Sequence, residues 1–93
     1  VIEVGELEFE VLFTPGHSPG GVTFYEAKES IAFVGDVLFS RGVGRTDLPG
    51  GDWRTLERSI KEVLFALPDD PVVYPGHGPK TTIDRERRTN PWV

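Results

Sequence analysis

The sequence contains no cysteine, no methionine and no glutamine, and only one asparagine and two histidines. Without cysteine there is no disulfide framework, no thiolate ligand and no reactive thiol, and nothing points to an oxidising compartment, so the cytoplasm is the expected location. Long apolar runs are missing too. No stretch approaches the roughly 20 residues that span a bilayer, and no basic-then-apolar leader precedes the first strand, so no membrane partner is expected. Positive charge is scarce: 10 Lys and Arg stand against 15 Asp and Glu, for a net charge of −5 and a pI near 4.9. Phosphate recognition needs clustered cations, which argues against a nucleic-acid partner. The one basic cluster, Arg85 to Arg88, is broken by Glu86 and reads as a solvated helix face. The missing Met, Gln and Cys, beside abundant Glu and Arg, match the depletion of thermolabile residues in thermophile proteins. The opening Val1-Ile2-Glu3-Val4 already reads as strand, so the start looks like a cut or mature end.

What the chain does contain is organised around its two histidines. Both are set as Pro-Gly-His, in Thr14-Pro15-Gly16-His17-Ser18-Pro19-Gly20 and Tyr74-Pro75-Gly76-His77-Gly78-Pro79. Between them an apolar run, Ile31-Ala32-Phe33-Val34, ends in Gly35-Asp36. Imidazole and carboxylate are usual ligands for zinc and iron, and a zinc site needs three or four protein donors. His17, Asp36 and His77 are therefore the candidate metal ligands. Three are too few for a two-metal hydrolytic centre, so the chain reads as half of a site. For a lone histidine the bland alternative is a turn residue bonded to a backbone carbonyl, but the repeated motif favours a ligand. For Asp36 the alternative is a cap or turn carboxylate. An unpaired carboxylate at the end of a buried strand would be costly to ionise, and a divalent cation would offset that cost. Asp47, in Gly44-Arg45-Thr46-Asp47, reads instead as organising its loop with Arg45 or Thr46.

At 93 residues the chain is long enough for one domain, and residues 1–93 are expected to form a single unit. Glu6 to Phe13 alternates, with Leu7, Phe9, Val11 and Phe13 on one face of a half-buried strand, and Val1 to Val4 is its hairpin partner across Gly5. Val22 to Tyr25 and Ile31 to Val34 read as further strands, the latter buried on both faces. Arg41 to Gly51 reads as loop. Asp52 to Leu67 repeats Trp53, Leu56, Ile60, Val63, Leu64 and Leu67 on one helical face, with Asp52 as N-cap and Pro68 as stop. Val72 to Tyr74 forms a last strand, and a short helix starts near Thr81 or Thr82 and ends before Pro91. This order predicts an α/β (α+β) fold, one sheet with helices packed on one face and an apolar, uncovered face on the other.

The two Pro-Gly-His motifs, Gly35-Asp36-Val37-Leu38-Phe39, Gly44-Arg45-Thr46-Asp47-Leu48-Pro49-Gly50-Gly51 and Glu86-Arg87-Arg88-Thr89-Asn90-Pro91 together resemble the second half of metallo-β-lactamase-fold hydrolases, over nearly the whole chain. The nearest branch is the short bacterial glyoxalase II type, the hydroxyacylglutathione hydrolases. The resemblance implies the C-terminal half of an αββα sandwich, one mostly antiparallel sheet with helices on one face. It implies two divalent metals per complete site, with zinc expected and iron or manganese as alternatives. His17 would complete the first metal's ligands, Asp36 would bridge both, and His77 would complete the second. No residue is assigned as catalytic beyond these ligands. The implied reaction is hydrolysis of a small-molecule thioester by a metal-bound hydroxide. The family's His-x-His-x-Asp-His motif is absent, so the chain alone is expected to be inactive, its partner being the missing N-terminal half or a second copy. Asp36 stands where the commonest class of true β-lactamases carries Cys. Two alternatives remain: a persulfide dioxygenase-like iron enzyme, which shares the Gly-Arg-Thr-Asp loop, and a non-catalytic half-domain that self-associates. Tyr74 and Arg45 are further candidates for lining the site.

Overall fold

The computed structural model describes residues 2–93. Val1, the first residue of the expected hairpin, lies outside them. The remainder of that hairpin forms, with β1 (Ile2–Val4) antiparallel to β2 (Leu7–Phe13) and Ile2 opposite Phe9. Strands β3 (Val22–Glu26) and β4 (Ile31–Gly35) continue the antiparallel meander. A short hairpin follows, β5 (Leu38–Phe39) with β6 (Gly42–Val43), and then α1 (Trp53–Arg58). A π-helical stretch, Ser59–Leu64, extends α1. Strand β7 (Val72–Pro75) returns parallel to β4, β8 (Thr81–Thr82) pairs antiparallel with β7, and α2 (Ile83–Thr89) closes the chain. Among the described residues the main sheet has six strands in the order β1-β2-β3-β4-β7-β8.

The expected α/β (α+β) architecture is present: one mostly antiparallel sheet with helices on one face. Leu56, Ile60 and Leu64, a helical stripe at spacings of four, are fully buried. They and Ile83 of α2 pack with Tyr25, Ala32, Val34 and Val73 of the sheet in a single core. Asp52 caps α1 as its sequence position suggests, accepting the Thr55 N–H at 3.3 Å and the Thr55 hydroxyl. The Thr55 bonds hold the Asp52 carboxyl below the usual carboxylate range. A carboxyl whose folded value is depressed stabilises the fold fully above its unfolded value, near 4, and loses that contribution as pH falls through the lower folded value. Faster amide exchange in the first turn of α1 is therefore expected below about pH 4, and hydrogen exchange at pH 3 and pH 6, corrected for intrinsic rates, would measure it. No helix among the described residues is long and apolar enough to cross a membrane.

Three details depart from the sequence reading. The apolar stripe of β2 does not face the helices: Val11 and Phe13 are exposed, and it is Leu12, on the opposite face, that packs against the core. Strand β4 is not buried on both faces. Ala32 and Val34 are fully buried, whereas Phe33 is 40% exposed. Across the open face the register aligns Val11, Phe24, Phe33 and Tyr74 in one row. Phe33 stacks on Tyr74 with ring centroids 5.3 Å apart. Covering the part of these rings that remains exposed would remove apolar surface from water at roughly 25 cal/mol per Å². Third, Gly42–Val43 is strand rather than loop, and Trp53 leaves the helical stripe to stand half-exposed beside a cleft.

Candidate metal centre

Two backbone arrangements bring the three candidate ligands together. The first is the parallel pairing of β4 with β7, which sets Gly35 against Pro75 and lets the Gly76 N–H donate to Gly35 O at 2.8 Å. Asp36 and His77 leave adjacent strands at the same level as a result. A Cβ on Gly76 would lie 2.9 Å from Asp36 Oδ1, so this position has to lack a side chain for the carboxylate to occupy its place. The second arrangement is the loop after β2. The Thr14 N–H donates to Gly21 O at 2.9 Å, the buried Thr14 and Thr23 hydroxyls bond at 3.1 Å, and the Ser59 hydroxyl of the π-helical stretch donates to Pro15 O at 2.7 Å. These bonds close the Pro-Gly-His-Ser-Pro-Gly loop over the end of the sheet.

Asp36 then has one histidine at each oxygen. His77 Nδ1 lies 3.0 Å from Oδ1, and His17 Nε2 lies 3.7 Å from Oδ2. The tautomers follow from the partners. A carbonyl oxygen can only accept, so the 2.8 Å contact of His17 Nδ1 with Arg45 O makes Nδ1 the protonated nitrogen and leaves the Nε2 lone pair toward Asp36. His77 likewise donates from Nδ1 to the carboxylate, which leaves its own Nε2 free on a largely exposed ring. In its neutral form His17 therefore faces Asp36 Oδ2 with one electron pair against another, at a separation too long for a hydrogen bond. A proton or a divalent cation at this point would relieve the opposition. The donor types, two imidazole nitrogens and a carboxylate, suit zinc, iron or manganese. Their number and placement do not complete a cage: no group of three or more His, Cys, Asp or Glu among the described residues is arranged to hold an ion.

The three side chains border a cleft of about 700 Å³ whose other walls include Phe39, Trp53, Trp92 and the Gly42–Asp47 segment. This volume is of small-molecule size. Arg45 and Asp47 pair through two bonds of 3.0 Å, as expected for the organiser of this loop, and the guanidinium holds the Asp47 carboxyl below its ordinary range. Arg45 lines the cleft. Tyr74 does not: it lies on the open sheet face beside Phe33.

Sequence reasoning missed the aromatic walls and a buried carboxylate. Trp53 was absorbed into a helical stripe, and Trp92 lies past the last helix, with no pattern around it. Glu86, inside the basic cluster, is fully buried, while Arg85, Arg87 and Arg88 are exposed as expected. Its one readable signal was its position three residues after Ile83, on the inward side of a short helix.

A family model described as the metallo-beta-lactamase superfamily matches residues 1–77. The chain belongs to the metallo-β-lactamase superfamily. Among curated relatives, hydroxyacylglutathione hydrolase GloC of Haemophilus influenzae is 46% identical over 93 residues, which is 100% of this chain and 44% of that protein. A solved structure described as BLEG-1 B3 metallo-beta-lactamase superposes with a TM-score of 0.92 at 48% identity, covering 98% of this chain and 44% of the other. That of ETHE1 from Myxococcus xanthus gives a TM-score of 0.90 at 42% identity, covering 97% and 41%. The chain thus spans less than half the length of these metallo-β-lactamase relatives.

Proposed function

We propose that residues 1–93 form one unit, the C-terminal half of a metallo-β-lactamase-like domain, and that His17, Asp36 and His77 are its contribution to a two-metal hydrolase centre of the glyoxalase II type acting on a thioester. The observation that carries this reading is the carboxylate of Asp36 with an imidazole nitrogen at each oxygen, at the mouth of a cleft of small-molecule size. The likeness to GloC supports the thioester as substrate class. When bound, divalent metals would polarise the acyl carbonyl and make water a nucleophile near neutral pH. This chain's own residues supply the rest of what is proposed: Asp36 would be the donor shared by the two ions, Arg45 O keeps the proton of His17 on Nδ1 and so leaves its Nε2 lone pair free to bind, and His77 would supply the second imidazole. The remaining donors would come from a segment or chain that covers the row Val11, Phe24, Phe33 and Tyr74.

A second reading, an iron enzyme of the persulfide dioxygenase kind, is favoured by the likeness to ETHE1. One set of measurements separates the two. The chain, purified without chelator together with whatever it retains, is weighed by native mass spectrometry, analysed for zinc, iron and manganese, and assayed on a glutathione thioester, a glutathione persulfide and a β-lactam. Two metals per assembly with thioester turnover above the other two is the expected result. Persulfide consumption with one iron would favour the second reading. A chain that binds no metal and hydrolyses nothing, even when the covering half is supplied, would leave only a self-associating half-domain.

A further inference from the structure

The buried carboxylate of Glu86 is absent from the proposed chemistry, yet its bonds lead to it. Glu86 Oε1 accepts the Arg41 N–H at 2.7 Å and the Asn90 side-chain amide at 3.1 Å, and Oε2 accepts the Thr81 hydroxyl at 2.5 Å. The same Asn90 amide donates to Gly42 O at 3.0 Å. Two residues one turn apart on the end of α2 therefore grip the N–H of Arg41 and the C=O of Gly42. Arg41 is held at φ 62, a left-handed conformation that a side-chain-bearing residue seldom adopts without such constraint.

From this grip the chain runs straight to the metal centre. Gly42 and Val43 pair with Leu38 and Phe39, the Gly44 N–H donates to Val37 O at 3.1 Å, and the next carbonyl, Arg45 O, accepts the His17 Nδ1 proton. We infer that Glu86 and Asn90 are positioning residues for His17: by fixing the Arg41–Gly42 end of the segment they place Arg45 O, and so set which nitrogen of His17 keeps its lone pair. His77 is bonded to Asp36 and set by the β4–β7 register, and it meets the clamped segment only where its ring lies against Phe39, the partner of Gly42, with centroids 6.4 Å apart. The clamp should therefore act more strongly on His17, through a hydrogen bond, than on His77, through a ring contact alone. Only the usefulness of a free Nε2 rests on the proposed function; the positioning itself can be read without metal.

With just two histidines in the chain, long-range ¹H–¹⁵N spectra of the metal-free protein, at one fixed pH above neutrality, resolve both rings. In the native sequence His17 is expected as the Nδ1–H tautomer. In Glu86→Leu its protected Nδ1–H signal is expected to be lost, with the ring nitrogens moving toward the averaged shifts of a free imidazole, while His77 keeps its tautomer and moves less. Glu86→Gln, whose carbonyl can still accept from Arg41 and whose amide can donate to Thr81, restores the native His17 pattern. Should Glu86→Leu fail to fold, Asn90→Ala decides, since it releases Gly42 O and leaves the Arg41 and Thr81 bonds in place; a shift of His17 in the same direction is expected. An unmoved His17, or equal movement of both histidines, in the variant that folds would overturn the inference. A protein that takes up no metal but shows the selective His17 shift would sink the proposed function and leave the positioning role intact.

Discussion

Gly16→Ala is expected to remove a large part of the stability of this chain. Gly16 has φ 133, outside the region open to ordinary side chains, and a Cβ there would lie 2.3 Å from both the Cα and the N of Leu56, whose side chain is fully buried. Nothing flexible can yield, because the obstacle is the backbone of α1, and the Asp52 N–H is tied back to Gly16 O at 2.7 Å. Backbone strain and overpacking together cost about 2 to 6 kcal/mol. A domain of this length has a total stability of roughly 5–14 kcal/mol. Urea denaturation would show the midpoint fall by a large fraction or the transition vanish. Gly20→Ala, where a methyl would meet open space, is the control and is expected to stay near the native midpoint. A Gly16→Ala chain of native stability would mean that the loop carrying His17 is not packed on α1 as described.

The second large effect concerns Asp36→Ala. Its carboxylate lies 3.0 Å from His77 and 3.7 Å from His17, and its side chain is partly exposed, so the fold is expected to survive. Loss of a group that merely orients a metal ligand weakens binding about 10–100-fold. Asp36, read as a direct donor to two ions, is expected to cost more than that. Zinc or manganese titrations followed by calorimetry, on the chain with its covering half, would measure the loss, with unchanged circular dichroism as the check on folding. Glu57→Ala on α1, which breaks an exposed pair with Lys61 and lies outside the cleft, is expected to leave metal uptake near the native level. Equal losses in both variants would mean that Asp36 is not a direct donor.

Much of this was legible beforehand, and the physical reason differs from feature to feature. The strands β2, β3, β4 and β7 and the cap at Asp52 declared themselves because alternation, apolar runs and capping chemistry are local. His17, Asp36 and His77 stood out because each follows a strand at the same end of the sheet, and the β4–β7 register then places two of them side by side. What alternation does not carry is direction: Leu7, Phe9, Val11 and Phe13 share a face, but only the helices decide which face is theirs, and they packed against Leu12 instead. Strands of two residues, β5, β6 and β8, are too short to leave any periodic trace. Glu86 was hidden by its neighbours, since three exposed arginines around it look like solvent-facing helix until the partners on Arg41, Thr81 and Asn90 are known. Both Pro-Gly-His glycines were visible; the reasons for them, a helix backbone against Gly16 and a carboxylate against Gly76, are tertiary.

The cleft walls also have an optical consequence. Trp53 and Trp92 are the only tryptophans in the chain, and both border the cleft that holds the two histidines. Ultraviolet emission excited at the red edge of the protein band therefore originates at that cleft alone, with no indole elsewhere to dilute it. An occupant, whether a paramagnetic ion quenching the indoles or an acyl chain drying their surroundings, would register directly in intensity and colour without any attached label.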